Sequence, residues 1–288
     1  MTLSITHLHP LFAAEVGGLD LSVRFGEAAA LALREALREH RLLVFRGQRL
    51  SPADQVALTR VFGVRELHAA AGLGSPGWPG AGPMAAPEDG DTRIHGGFGA
   101  GGLRWHADLY WTPQPNRVSV LHARTMPPVG GAAMLFADQC AAFDGLDPWL
   151  AYRVQFLDAE HDPARLFPDV GAVGAAPPVA HPVVRVDPDT DRRGLFVDED
   201  TTTRLLGVPE PEATGLLQRL LAAATDPAVI HRHIWRSGDV LVWDNHAELQ
   251  RAETRAVRPD PGMLRTMAAA AGRPYGPAQV TQPWVVAG

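Results

Sequence analysis

Residues 235–245 read Trp235-Arg236-Ser237-Gly238-Asp239-Val240-Leu241-Val242-Trp243-Asp244-Asn245, and this stretch decides the architecture. Arg236-Ser237-Gly238-Asp239 is a turn sequence, with glycine where the backbone must reverse. The run 240–243 that follows is short and apolar, so it reads as a buried strand. The run 229–235 before it also reads as a strand, and the two are expected to form a β-hairpin. The pattern continues outward. Stretches 117–123 and 132–137 read as strands. Stretches 182–186 and 195–198 flank a turn at 187–194 as a further hairpin, and 263–270 reads as the last strand.

Helices are few. Glu27–His40 is rich in Ala, Leu, Glu and Arg and reads as a helix. A short buried strand follows at 42–45 and stops at Gly47. Ser51-Pro52-Ala53-Asp54 is a strong helix start, with Ser to cap, Pro at the first position and an acid at the third. That helix should run to about Gly63, and 209–225 is a further amphipathic helix. Many short strands with few inserted helices suit a mainly β jelly-roll or double-stranded β-helix with flanking helices.

At 288 residues the chain is near the upper size for a single core. It carries no internal repeat and no linker, so 1–288 reads as one domain. Residues 70–104 depart from the rest, with AAGLGSPGWPGAGPMAAPEDG and GGFGAGG. Gly/Pro punctuation without apolar periodicity predicts a lid over a site or a disordered insertion.

Composition excludes several classes. The hydrophobic fraction is 46%, ordinary for a folded protein. Acidic residues number 32 against 26 basic ones, a formal charge of −6 with no basic run. Nucleic acid and anionic membrane are therefore not expected partners. The N-terminus MTLSITHLHP lacks a leader pattern, no apolar run approaches a membrane span, and a cytoplasmic protein is expected. The single cysteine, Cys140, excludes an intrachain disulfide and a thiolate cluster and is expected to be buried. The expected partner is a small molecule, and a homo-oligomer is compatible with the sequence.

Candidate chemistry centres on Trp105-His106-Ala107-Asp108. On a strand, residues two apart face the same way, so His106 and Asp108 could converge on a metal or on one proton-transfer site. By itself H-x-D is a weak signal, since a His–Asp hydrogen bond explains it equally well.

Together, five ordered segments resemble the TauD/TfdA family of iron(II)/2-oxoglutarate oxygenases along nearly the whole chain. They are LLVFRGQRLSPADQVALTRVFG, WHADLYW, PPVGGAAMLFAD, HPVVRVDPDTDRRGLFV and WRSGDVLVWDN. The resemblance implies a double-stranded β-helix, jelly-roll and cupin-like, of the TauD/TfdA type. It implies a metal held by two His and one carboxylate, with open positions for 2-oxoglutarate and O₂. His106 and Asp108 match two of those ligands. The third, five residues beyond the Asn of W-D-N, falls on Gln250, and an amide oxygen is a poor substitute for imidazole.

Two further departures affect the cosubstrate. The family's G-G-D-T reads Gly130-Gly131-Ala132-Ala133, so Ala133 replaces the cosubstrate Thr. The Arg implied eleven residues beyond the third ligand falls on Pro261, which cannot grip a carboxylate. The implied substrate Arg, four residues on, matches Arg265. Trp105 and Tyr110 are expected beside the substrate.

Substitutes are available in His246, as a displaced metal ligand, and in Arg258, for the carboxylate. His181, His231 and His233 read as structural. The resulting expectation is an enzyme on a small anionic metabolite, of specialised metabolism by analogy with the family. It would need no cofactor and would reuse His106 and Asp108 for redox-neutral acid/base chemistry: isomerisation, elimination or cyclisation. One alternative is an active Fe(II)/2-oxoglutarate oxygenase with displaced ligands. The other is a non-catalytic protein that binds a small molecule in the old pocket.

Overall fold

The structure is a computed structural model that describes residues 3–63, 81–83, 104–126, 133–165, 177–253, 263–269 and 273–277. In chain order the elements are β1 (Ser4–His7), β2 (Ala14–Gly17), α1 (Glu27–His40), β3 (Leu42–Phe45), α2 (Pro52–Val61) and β4 (Ala81–Pro83). Then come β5 (Asn116–Ala123), β6 (Ala133–Asp138), α3 (Gln139–Asp144), α4 (Pro148–Val154), β7 (Asp158–His161), β8 (Val179–Pro182), β9 (Val184–Val186) and β10 (Arg193–Leu195). The chain continues with β11 (Thr202–Leu206), α5 (Glu212–Ala224), β12 (Ile230–Ile234), β13 (Asp239–Asp244), β14 (Glu248–Ala252) and β15 (Met263–Ala269).

The large sheet has the order β1-β2-β3-β13-β5-β15-β4, and a smaller sheet has the order β12-β6-β14. Side-chain alternation tells each strand of the large sheet which layer it serves. Leu43, Phe45, Val118, Val120, Val240 and Val242 pack with Leu33 and Leu37 of α1. The intervening Leu42, Val44, Leu121, Leu241 and Trp243 face inward and meet Met134 and Phe136 of β6. Trp243 and Phe136 meet edge to face at 5.5 Å. Truncating a buried side chain of that size costs about 3–5 kcal/mol. The outer face of the small sheet, through Leu135, Ala137 and Leu249, packs on α5.

The expected hairpin across 236–239 is not one. β12 pairs with β6 while β13 pairs with β3 and β5, so the turn carries the chain from one sheet to the other. Local chemistry makes the corner. Gly238 has φ +84°, and a Cβ there would lie 3.0 Å from Gly47 Cα and from the Gln48 carbonyl. Its N–H donates to Ala123 O at 2.7 Å. Asp239 accepts from Arg236 N at 2.9 Å, Arg46 Nη1 at 2.6 Å and His233 Nε2 at 3.1 Å. By contrast, the second expected hairpin forms, with β9 and β10 antiparallel.

α2 begins as its sequence requires. Ser51 Oγ accepts from Asp54 N, and Asp54 Oδ2 accepts from Ser51 N at 2.9 Å, a reciprocal cap. Ser51→Ala should destabilise the fold by about 1 kcal/mol in urea unfolding. Most of the expected lid or insertion at 70–104 lies outside the described residues. Within it, β4 pairs with β15 as an edge strand, so the stretch is not without regular structure. Cys140 is buried, and burial pushes its thiol up to about 12. Among the described residues no helix is long and apolar enough to cross a membrane.

Candidate active site

The H-x-D segment joins the two sheets. It is not a strand: His106 makes a single antiparallel bridge to Gln250, and Asp108 begins a turn. His106 N donates to Gln250 O at 3.1 Å, and Gln250 N donates to His106 O at 2.8 Å. This pins His106 to β14 in the small sheet. Asp108 is held to the large sheet, where Ser119 of β5 donates to its Oδ2 at 2.6 Å. Asn245, from the W-D-N motif, closes the frame. It accepts from Asp108 N and donates to Asp108 O, each at 2.8 Å, and it also bonds Asn116. Leu109, in the turn, has φ +62°.

His106, Asp108 and Gln250 thus meet, as the motif spacing implies, and all three are buried. Their chemistry is not that of three metal ligands. Gln250 Nε2 donates to Asp108 Oδ1 at 2.9 Å. The carboxylate therefore receives an amide N–H on one oxygen and a hydroxyl on the other. In a three-ligand centre the third group would turn a lone pair toward the ion; here it presents a donor to its neighbour. Among the described residues no three His, Cys, Asp or Glu side chains are placed to hold a metal ion. As placed, the three side chains do not turn three lone pairs toward one point.

His106 has a defined tautomer. Its Nδ1 lies 3.0 Å from Arg104 O, and a carbonyl can only accept, so the neutral ring carries its proton on Nδ1 and is basic at Nε2. Asp200 Oδ2 lies 3.9 Å from the same Nδ1. Burial raises the Asp200 carboxyl to about 6, against the opposing effect of His106. Asp198, fully buried beside it, is also raised by burial while it accepts from Thr201 N and Thr202 N. The sequence reading missed Ser119, Asn245 as a clamp, and Asp200. Only Ser119 carries a signal, as a polar residue between Val118 and Val120 at an inward position of its strand.

Other expectations change. His246 does not complete the site. Its ring donates to Pro115 O at 3.3 Å and packs against Phe196. Burial first, then Arg185 and Arg117, hold its pKa well below the usual imidazole range. Tyr110, expected beside the substrate, is a core residue with no exposed surface, stacked on Phe196 at 3.7 Å. Trp105 is also buried, with the Arg251 guanidinium 5.1 Å from its ring centre. Arg265 lies on β15 opposite Leu121. Ala133 opens β6 and is buried. Arg258, Pro261 and residues 130–132 lie outside the described residues. His181 donates to Thr112 O and His233 to Asp239. His231 is half-buried and pairs across from Phe136.

His161 joins Tyr110, His181 and Phe196 in the core. Burial lowers its pKa to about 3. The folded state therefore refuses a proton that the unfolded chain accepts below about 6.5, and stability is lost as pH falls from 6.5 toward 3. From this group alone the loss between pH 8 and pH 5 is about 2 kcal/mol. Urea unfolding at both pH values should show it, and His161→Gln should reduce it.

Comparison with known proteins identifies the family. The family model described as "Taurine catabolism dioxygenase TauD, TfdA family" matches residues 4–265. The chain is 33% identical over 272 residues to the alpha-ketoglutarate-dependent 2,4-dichlorophenoxyacetate dioxygenase of Cupriavidus pinatubonensis, covering 87% of this chain and 92% of that one. It is 31% identical to the (S)-phenoxypropionate/alpha-ketoglutarate-dioxygenase of Sphingobium herbicidovorans, covering 86% and 88%. The crystal structure of a taurine dioxygenase from Burkholderia xenovorans superposes with a TM-score of 0.78 at 26% identity, covering 96% of this chain and 92% of that one. With its fold, its motif order and its matched length in agreement, the chain belongs to the TauD/TfdA family of dioxygenases.

Proposed function

We propose that this chain is an enzyme acting on a small anionic metabolite, with His106 as its acid/base and without the iron/2-oxoglutarate couple. The observation that carries the reading is the 2.9 Å bond from Gln250 Nε2 to Asp108 Oδ1. It ties up one oxygen of a would-be metal ligand with the residue that stands in the third ligand's place. Ala133 and Pro261 support it, because each removes a cosubstrate contact that the family resemblance implies. An anionic substrate is supported by Arg265 and by the relatives, since phenoxyacetate, phenoxypropionate and taurine all bear an acidic group.

The division of labour differs from a plain His106–Asp108 pair. Asp108 holds the frame, through Ser119, Asn245 and Gln250. Arg104 O orients His106 through Nδ1 at 3.0 Å, and Asp200, 3.9 Å from the same nitrogen, is near enough to balance the ring's charge on protonation. Nε2 of His106 takes a proton from the substrate and returns it at another atom, or loses it with a leaving group. General acid/base catalysis of this kind contributes about 10²–10⁴-fold.

A second reading is favoured by the relatives themselves. Both sequence relatives named above are alpha-ketoglutarate-dependent dioxygenases, which speaks for an oxygenase with iron and 2-oxoglutarate rather than for a redox-neutral enzyme. The two readings separate in one assay. Small aryl and alkyl carboxylates and sulfonates are incubated with the protein in EDTA, without O₂, and followed by mass spectrometry. The proposal expects products of unchanged mass, or of mass reduced by a leaving group, that disappear in His106→Ala. Oxygenated products formed only with iron, 2-oxoglutarate and O₂, with matching succinate, would establish the oxygenase.

A further inference from the structure

The turn between β13 and β14 has two sides. Asn245 faces the H-x-D frame, whereas Asp244 and His246 on either side of it line a different cavity. That cavity has a volume of about 590 Å³, in the range that small metabolites fill. Its charge is unusual for a chain with a formal charge of −6. Arg34 and Arg38 enter from α1, Arg117 from β5, Arg185 from β9, and Arg273 from the segment after β15. Asp189 and Asp244 are the acids in the wall.

These arginines are incompletely neutralised. Arg117 donates to both Asp187 and Asp244. That leaves Arg185 with Asp187 at 3.6 Å, beyond hydrogen-bond distance. Arg185 is only 4% exposed, and its Nε has no hydrogen-bond partner among the described residues. Arg38 reaches Asp189 at 3.3 Å, and Arg34 pairs with the exposed Glu27. Arg273 is exposed and forms no ion pair among the described residues. Guanidinium forks match carboxylate and phosphate oxygens in pairs, and a buried one with an open N–H calls for such an acceptor.

We propose that this cavity is a second ligand site, distinct from the H-x-D frame, that binds a small polyanion through Arg185 at its base and Arg38 and Arg273 at its mouth. The shared chemistry is two or more phosphate or carboxylate groups on one small molecule. The inference does not depend on which reaction the H-x-D frame performs.

Calorimetry with inorganic pyrophosphate and with citrate, on the full chain in low salt, tests the site. At least one probe should bind one per chain with Kd below about 1 mM and raise Tm. The double variant Arg38→Ala/Arg273→Ala changes side chains at the mouth, so it should keep the unliganded Tm while losing at least about tenfold in affinity. Preference for pyrophosphate would assign a phosphate ligand, and preference for citrate a polycarboxylate. Failure of both probes to reach that affinity, or undiminished binding by the double variant, would overturn the proposal. Arg185→Lys gives a second check if the double variant is unstable: it keeps the charge, loses the fork, and should weaken the preferred probe.

Discussion

Gln250→His is expected to raise affinity for Mn(II), a spectroscopic stand-in for a divalent ion, by roughly 100-fold or more. The substitution does two things at once. It removes the amide that donates to Asp108 Oδ1, and it places an imidazole where that amide stood. His106 already carries its proton on Nδ1, so Nε2 is in the form that ligates. The backbone bridge between residues 106 and 250 makes no use of the glutamine side chain and should survive. Electron paramagnetic resonance titration of free Mn(II) reads the change directly. An unchanged affinity would mean that Gln250 is not what separates this chain from a metal-binding relative. Affinity for 2-oxoglutarate should stay low in this variant, because Ala133 and Pro261 are untouched.

Arg41→Ala is expected to destabilise the fold by about 3–5 kcal/mol. Arg41 caps α1 with φ +60° and turns its side chain into the protein. Its Nε and Nη2 both donate to Asp138 Oδ2, at 3.1 and 2.7 Å, and Nη2 also donates to Leu11 O. Asp138 has no exposed surface, and its other oxygen caps α3 by accepting from Cys140 N and Ala141 N. Glu248 lies nearby, fully buried, with its pKa raised well above the carboxylate range by burial and then by Asp138. Removing the arginine strands Asp138 without its cation in a dry interior. Urea denaturation at neutral pH measures the loss, and a value under about 1 kcal/mol would mean that water reaches Asp138.

The sequence made the elements legible where local chemistry decides them. Glu27–His40 and Leu42–Phe45 stand where composition and apolar run place them, and the Ser51–Asp54 cap forms as written. Pairing was less legible. The runs at β12 and β13 look like two arms of a hairpin, yet they belong to different sheets. What separates them is the approach of Gly238 to Gly47 and Gln48, residues almost two hundred positions earlier. β14 was missed because Glu248, Gln250 and Arg251 give it a polar reading, although its ladder with β6 buries most of it.

The site followed the same division. Motif spacing brought His106, Asp108 and Gln250 to one place, and the structure joins them. It could not show that the amide would close on the carboxylate, nor that Ser119 and Asn245 would hold it from the other side. The strand reading of H-x-D failed because Asp108 sits in a turn, so its direction is set by three partners rather than by β alternation. Tyr110 failed for a simpler reason, since an aromatic next to a reactive motif can equally be core, and Phe196 makes it so.

In the proposed function the Asp108–Gln250 contact replaces the family's iron and cosubstrate chemistry. Anaerobic titration of the metal-free protein with Fe(II) and then 2-oxoglutarate, followed by calorimetry and by the visible charge-transfer band of the chelate, tests it most directly. The expected result is weak iron binding, no ternary complex and no band. A tight ternary complex showing that band would contradict it and place the chain with its oxygenase relatives in activity as well as in fold.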